Sequence, residues 1–184
     1  MQFWQIVISV AVVVVLAGVG WFIYSRHRSQ RLRTHFGPEY DRTVAELGDR
    51  GQAESELAER EQRVRNMKIR PLSPSDRQNL SAEWAECQVL FVDDPAGAVE
   101  QADGLISKLL RARGYSVENP YDRIADISAA YPRHTNNYRI AEQIVSRHHR
   151  GQASTEDLRK AFIHYRALFD EILGGQYEEL KRAS

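Results

Sequence analysis

Twenty-two residues near the N-terminus form an almost wholly apolar run. Residues 3–24 contain no charged side chain, and Gln5 and Ser9 are their only polar members. As an α-helix the run extends over about 33 Å, which is enough to cross the roughly 30 Å hydrocarbon core of a bilayer. Ile, Val and Leu side chains surround such a helix, which therefore has no polar face. An amphipathic surface helix is not expected. The run therefore predicts a transmembrane anchor over residues 1–25.

Aromatic residues stand at both ends of this run. Trp4 lies at one end, and Trp21, Phe22 and Tyr24 lie at the other, as in the aromatic belts of membrane interfaces. A cleavable signal peptide would need a basic residue before the apolar core and small residues at its end, and neither is present. A buried helix of a soluble core would have to hide the run on every side. We therefore expect a retained membrane span.

A burst of arginines follows the span directly. Arg26, Arg28, Arg31 and Arg33 are the first charged side chains of the chain and define a basic juxtamembrane segment over residues 26–36. Because positive residues remain on the cytoplasmic side, the N-terminus is expected outside and the rest of the chain in the cytoplasm. The arginines could also contact anionic lipid headgroups, although a role in topology alone explains them.

The net charge of zero hides a strong segregation. From Phe36 onward the chain has 21 Lys and Arg against 25 Asp and Glu, a net charge of −4. A domain with a net negative charge does not attract the phosphate backbone of nucleic acid, so no nucleic-acid partner is expected. The single cysteine, Cys87, excludes an internal disulfide and agrees with a reducing compartment. It lies in an apolar helical stripe, which predicts a buried, inert thiol.

The chain beyond the arginines is interrupted and then highly charged. Gly37 and Pro38 break the helix that leaves the membrane, since proline suits the first turn of a new helix. Residues 37–68 are expected to form a charged helical segment with only a thin apolar stripe. Its Glu and Arg residues recur at the favourable i, i+4 spacing, in the pairs Glu56–Arg60, Glu59–Arg63 and Glu61–Arg65. Two prolines mark residues 69–74 as a connector.

Residues 75–174 carry start and stop signals for successive helices. The candidate starts are Ser73 or Ser75, Asp94, Asn119, Thr135 or Asn136, and Ser154. Gly114 and Gly174 are expected to end two of the helices. No strand alternation or hairpin signal occurs. The sequence therefore predicts an all-α fold, in which an N-terminal transmembrane helix precedes an irregular helical bundle and a tail over residues 175–184.

The sequence contains no motif of known chemistry. Phosphate loops, nucleophile elbows, HExxH zinc motifs and paired CxxC motifs are absent from it. The sequence DDP could suggest a magnesium site, but Pro95 follows and helix capping explains Asp94. His148 and His149 are adjacent and do not face one point, and His164 is expected to be solvated. We therefore predict no catalytic residue, no metal ligand and no cofactor.

Five segments carry a resemblance to known proteins. In order along the chain they are FGPEYDRTV, IRPLS, FVDDP, ASTEDLR and HYRALFDEIL. Over residues 31–173 they resemble a family of uncharacterised bacterial single-span membrane proteins. The resemblance implies a protein of the bacterial envelope and adds no activity or site residue. Some members of the family are labelled secreted, which would place the domain outside the cytoplasm.

Together these observations favour a non-catalytic function. The leading hypothesis is a single-pass protein of the bacterial inner membrane whose cytoplasmic helical domain binds another protein. One alternative is an enzyme or small-ligand-binding domain with a pocket between helices. Another alternative is a sensor of anionic lipid surfaces that uses the juxtamembrane arginines.

Overall fold

A computed structural model describes residues 2–117 and 119–183. Side chains are described for residues 15–20, 22–23, 25–117 and 119–174. Across the described part of the chain the backbone forms eight α-helices and no β-strand, which confirms the all-α prediction. The helices are α1 (Gln2–Phe36), α2 (Pro38–Leu47), α3 (Arg50–Asn66), α4 (Pro74–Asp93), α5 (Pro95–Arg113), α6 (Pro120–Ala130), α7 (Thr135–His149) and α8 (Thr155–Ala183).

The predicted membrane span coincides with the first two thirds of α1. Among the residues that the structure describes, no helix is both long enough and apolar enough to cross a membrane. Most of the predicted span, including Trp4, Trp21 and Tyr24, lies outside the residues whose side chains are described. Of the four predicted interface aromatics, Phe22 is described, and its side chain is exposed.

Local capping explains where most helices begin. Ser73, Asp94 and Asn119 each accept a hydrogen bond from a backbone N–H in the first turn of the following helix, and a proline stands at N1 in all three. At the start of α8, Ser154 Oγ accepts from the Asp157 N–H at 3.1 Å, and Asp157 Oδ2 accepts from the Ser154 N–H at 3.0 Å. These contacts satisfy N–H groups that have no partner within a helix.

The end of α5 depends on a glycine. Gly114 has a φ of 97° and ends α5 as predicted, and a Cβ at this position would lie 2.7 Å from the carbonyl oxygen of Lys68. Gly114→Ala is expected to lower the free energy of unfolding by about 2 kcal/mol or more, because the left-handed conformation alone costs about 1–2 kcal/mol in other residues. Urea titration of the full chain in detergent measures this change.

Gly104 provides the matched control for that substitution. It lies within the same helix, and a Cβ there would meet nothing within 4 Å. Because alanine is a better helix former than glycine, Gly104→Ala is expected to leave stability unchanged or to raise it by up to about 1 kcal/mol. Equal effects of the two substitutions would contradict the role given to Gly114.

Two expectations about the last helix are wrong. Gly174 does not end α8, which continues to Ala183. A glycine inside a helix costs only about 1 kcal/mol relative to alanine, and the following Glu, Leu, Lys and Arg residues favour helix. His164 is half-buried rather than solvated, because α7 packs beside α8 and brings Asn137 Oδ1 to 3.2 Å from its Nδ1. Burial lowers the pKa of His164.

The main core lies between α4, α5, α7 and α8. Trp84 of α4 stacks on Phe162 and Phe169 of α8, with ring centroids 5.2 Å and 4.4 Å apart. Phe91 is only partly buried at the edge of this core. The largest fully buried side chains of the core are Val99, Ile106, Leu109, Leu110, Ile127, Tyr138, Tyr165, Leu168, Phe169 and Ile172.

A second, smaller core joins the N-terminal helices to the bundle. It contains Leu32, Phe36, Tyr40, Leu57 and Ala129, contributed by α1, α2, α3 and α6. The side chain of Val64 packs against both cores. The charged segment therefore packs directly onto the helical bundle.

One of the three ion pairs predicted in the charged segment does not form. Glu56 and Glu61 pair with Arg60 and Arg65 as expected. Arg63 instead donates hydrogen bonds to the carboxylates of Asp122 and Asp126 on α6, because α3 packs along that helix.

Candidate functional site

The final turns of α1 are docked on the bundle. Ser29, Leu32 and Phe36 share one face of α1 and are buried. Ser29 Oγ donates a hydrogen bond to Glu54 at 2.5 Å, and the His35 ring nitrogen Nε2 donates to the carbonyl oxygen of Ala129 at 2.9 Å. These final turns of the helix are thus fixed by apolar packing and by directed hydrogen bonds.

The preceding turns of α1 leave the bundle with their apolar side chains uncovered. The large apolar side chains described there are exposed by 50–65%: Val15, Leu16, Val19, Phe22 and Ile23. A Cβ added to Gly18 or Gly20 would meet nothing within 4 Å. An apolar helix with no protein around it is energetically unfavourable in water, at roughly 25 cal/mol for each exposed Å².

The four arginines that follow the apolar run do not form one patch. Arg26 and Arg33 line a groove of about 560 Å³ together with Arg50 of α3. Arg28 and Arg31 line a second groove, of about 400 Å³, together with Arg65 of α3. The arginines are therefore divided between two sides of α1, and α3 adds one arginine to each side.

Acidic side chains form ion pairs with some of these arginines. Arg31 pairs with Glu61, and Arg33 lies 3.4 Å from Asp41. The arginines that line these two grooves, together with one from the turn between α6 and α7, are named the basic collar: Arg26, Arg28, Arg31, Arg33, Arg50, Arg65 and Arg133.

A third and larger opening lies where α1 meets the turn between α6 and α7. This basic cavity has a volume of about 750 Å³. Its charged and titratable lining residues are His27, Arg31, His35 and Arg133. The sequence did not indicate that Arg133 lies beside residues 26–36, because 100 residues separate it from Arg33. The Gly37–Pro38 corner, which was predicted, also lines the cavity.

A buried ion cluster holds the helices behind the basic collar. Glu39 of α2 is 4% exposed and accepts hydrogen bonds from Arg139 Nε at 3.0 Å and from Arg60 Nη1 at 3.3 Å. Arg60 is 5% exposed and belongs to α3, whereas Arg139 belongs to α7. One carboxylate therefore ties together three helices, and we call this set the Glu39 cluster.

The outer face of α4 carries an apolar stripe that sequence reasoning missed. Ala82, Ala85, Val89 and Val92 recur at intervals of three and four residues and are all exposed, Val89 by 71% and Val92 by 80%. Cys87, which was predicted to be buried, lies on the opposite face of this helix. Two valines on the remaining face of a helix are the signal that could have identified the stripe.

A polar cluster between α5, α6, α7 and α8 is the strongest candidate for an inter-helix pocket. Arg123 Nη1 lies 3.2 Å from Asp103, Tyr138 donates to Asp103 at 3.3 Å, and Tyr165 donates to Glu142 at 2.7 Å. Burial raises the pKa of Asp103, with the neighbouring Arg123 acting in the opposite direction. Most polar atoms of the cluster thus bond to one another, as in an internal tie between helices.

Cys87 and Asp94, two further residues considered from the sequence, have structural roles. The Cys87 thiol is fully buried, donates to the Ala98 carbonyl oxygen at 3.0 Å, and has its pKa raised to about 11 by burial. Asp94 Oδ1 accepts from the Gly97 N–H at 2.9 Å as a helix cap. Within the described residues, no group of three or more His, Cys, Asp or Glu side chains is placed to hold a metal ion.

Comparison with known proteins adds no relative. The chain matches no protein-family model, no curated protein and no solved structure.

Proposed function

We propose that this chain is a single-pass protein of the bacterial inner membrane whose cytoplasmic helical bundle binds another protein. The observation that carries the proposal is the two-part character of α1. Its final turns, over residues 29–36, are docked on the bundle, and the apolar side chains described before those turns are exposed. A lipid bilayer covers such a surface at no cost in exposed apolar area.

The tether is rigid in this proposal. Ser29, the first docked residue, lies five residues beyond Tyr24 in the same helix, a rise of about 8 Å. That distance is close to the thickness of one headgroup layer. The bundle therefore stands directly on the membrane surface in a defined orientation, and the arginines that precede it lie among the headgroups. Arginines in this position also support a cytoplasmic bundle through the positive-inside bias.

The exposed stripe of α4 supports protein binding. The stripe residues Ala85 and Val92 are followed directly by the exposed acidic residues Glu86 and Asp93. Over its whole length α4 has four acidic residues against one arginine. Because a second copy of α4 would bring like charges together, the occupant that fits best is an amphipathic helix with an apolar seam and basic flanks.

Photo-crosslinking in native membranes tests the stripe. With a photoreactive amino acid at position 89 or 92 of the full chain, we expect one discrete protein adduct, the same from both positions. The double charge reversal Glu86→Lys and Asp93→Lys should reduce its yield about tenfold, since it removes the attraction to the basic flanks. Gel analysis of the adducts, followed by mass spectrometry, measures both results.

Ile163 of α8 is the matched control position, because its side chain is also apolar and exposed, by 50%. A photoreactive residue there should not yield the adduct. A mixture of unrelated adducts from position 89, an adduct with a second copy of the chain, or insensitivity to the charge reversal would each contradict this use of α4.

The basic collar favours a second candidate function, the sensing of anionic lipid. Each arginine near an anionic leaflet contributes about 1 kcal/mol of attraction, and salt screens that attraction within about 10 Å at moderate ionic strength. A peptide covering residues 21–36 should therefore bind anionic vesicles less tightly as salt increases. Salt-independent binding would exclude electrostatic recognition of lipid by this segment.

A further inference from the structure

The geometry points to a phosphate-binding site in the basic cavity between α1 and the turn that leads into α7. The ligand is a phosphate group, either on the headgroup of an anionic lipid or on a soluble compound. Both sources share the chemistry that the cavity offers, namely arginine and histidine donors around a space large enough for a headgroup.

The lining of the cavity is entirely cationic or neutral. Ten residues line it: His27, Gln30, Arg31, Thr34, His35, Phe36, Gly37, Pro38, Pro132 and Arg133. Two of these are arginines, two are histidines, and none is acidic. The chain from Phe36 onward nevertheless has more acidic than basic residues. A concentration of basic side chains in an otherwise acidic domain favours the binding of an anion, and guanidinium groups match phosphate geometry well.

Arg133 is the cation of the cavity that is most available to a ligand. Arg31 already pairs with Glu61, and the His35 ring bonds to Ala129 through one of its nitrogens. Arg133 is exposed and has no carboxylate partner in the part of the chain that the structure describes. Its guanidinium can therefore turn toward a phosphate without breaking an existing ion pair.

Two helix N-termini add to this environment. The residues that precede α2 and α7 are Gly37 and His134, and neither provides a side-chain cap for its helix. The described starts of α3, α4, α5 and α6 do have such a cap. Pro38 of α2 and Arg133 beside α7 line the cavity, so the positive ends of both helices adjoin it. These ends strengthen a site that the arginines and histidines define.

The position of the cavity allows a lipid source, and this part of the inference rests on the proposed membrane tether. His27 lies three residues beyond Tyr24 along α1 and His35 lies eleven, which places them about 5 Å and 16 Å above that level. The lower end of the cavity would then lie among the headgroups and its upper end in solvent. A lipid phosphate can enter from below and a soluble phosphate from above.

The test uses the full chain in phosphatidylcholine nanodiscs, with inorganic pyrophosphate as the probe and calorimetry as the readout. We expect saturable binding that weakens about tenfold or more in Arg133→Ala, because one bidentate charge-assisted contact is lost. Arg133→Lys should recover part of the affinity. Arg150→Ala is the matched control, since it removes the same charge from an exposed arginine in a groove outside the basic collar. It should leave the affinity within about twofold of the parent chain.

Lipid composition distinguishes the two sources. If phosphatidic acid in the nanodisc weakens pyrophosphate binding more than phosphatidylserine does, and Arg133→Ala removes that difference, the lipid phosphate occupies the cavity. If both lipids act equally while Arg133 still matters, the ligand is a soluble phosphate. No pyrophosphate binding in phosphatidylcholine discs, or equal losses in Arg150→Ala and Arg133→Ala, would overturn the site. Binding measured in detergent does not depend on the tether, so failure of the tether and failure of the site can be told apart.

Discussion

Glu39→Ala is expected to lower the free energy of unfolding by about 3 kcal/mol, because it removes the buried carboxylate that two arginines share. Arg60 is 5% exposed and loses the carboxylate that reaches it from α2, so that Glu56 on its own helix remains as its carboxylate partner. Arg139 on α7 loses a bidentate contact with the same carboxylate. The connection between α2, α3 and α7 is thus broken at one point. Urea titration of the full chain in detergent, followed by circular dichroism, measures the loss.

Glu46→Ala is the control for this experiment. Glu46 belongs to the same helix, is exposed, and forms no ion pair among the described residues. Its removal should change the free energy of unfolding by less than about 0.5 kcal/mol. If Glu39→Ala and Glu46→Ala had equal effects, the Glu39 cluster would not be the tie between these helices. Glu39→Gln should fall between the two, since the amide keeps an acceptor but loses the charge.

Two arginines placed in the apolar run are expected to release the chain from the membrane. At the centre of a membrane helix each arginine costs about 2.5–3.5 kcal/mol, so Val12→Arg with Leu16→Arg removes about 5–7 kcal/mol of insertion energy. We expect the parent chain to remain with membranes after alkaline extraction and the double variant to appear in the supernatant. Quantitative immunoblotting of the two fractions measures this result.

The matching control places the same two charges on the bundle. Leu47 and Ile163 are apolar residues that are 45% and 50% exposed. Leu47→Arg with Ile163→Arg should leave the chain in the membrane fraction, because neither residue belongs to the proposed span. Extraction of the parent chain, or retention of the variant with charges in the run, would contradict the membrane tether.

The sequence predicted the helices well where short-range chemistry determines them. Asp94 before Pro95, and Asn119 before Pro120, place a cap acceptor and a fixed φ within two residues, and both helices begin there. Gly114 ends α5 for an equally local reason. The prediction that Gly174 ends α8 was wrong, because a glycine is compatible with a helix interior when the residues after it favour helix.

Contacts between distant parts of the chain were beyond sequence reasoning. Arg63 has Glu59 at a favourable spacing on its own helix but bonds to Asp122 and Asp126 on α6 instead. Glu39 at the start of α2 suits the helix dipole, and nothing local to it indicates burial between two arginines. Such preferences depend on which helices pack together, and that information is spread along the whole chain.

The candidate site was predictable only in part. The arginines after the span indicated a basic segment, and the Gly37–Pro38 corner was expected. The division of these arginines between two sides of α1 follows from helix periodicity, whereas the arginine that α3 adds to each side depends on the docking of α1 on α3. The contribution of Arg133 depends on the turn before α7 reaching α1. Neither contact has a signature in the sequence.

Thiol accessibility on the two sides of the proposed membrane span tests that span most directly. The single native cysteine, Cys87, is fully buried with a raised pKa, so it should not react with a membrane-impermeant maleimide. A cysteine introduced at Gln2→Cys or at Ser81→Cys, an exposed position of α4, is then the reactive thiol of the full chain. In intact spheroplasts we expect labelling of Gln2→Cys, and labelling of Ser81→Cys only after lysis. Equal labelling of both variants before lysis, or labelling of Ser81→Cys alone, would contradict a helix that crosses the membrane with its bundle in the cytoplasm.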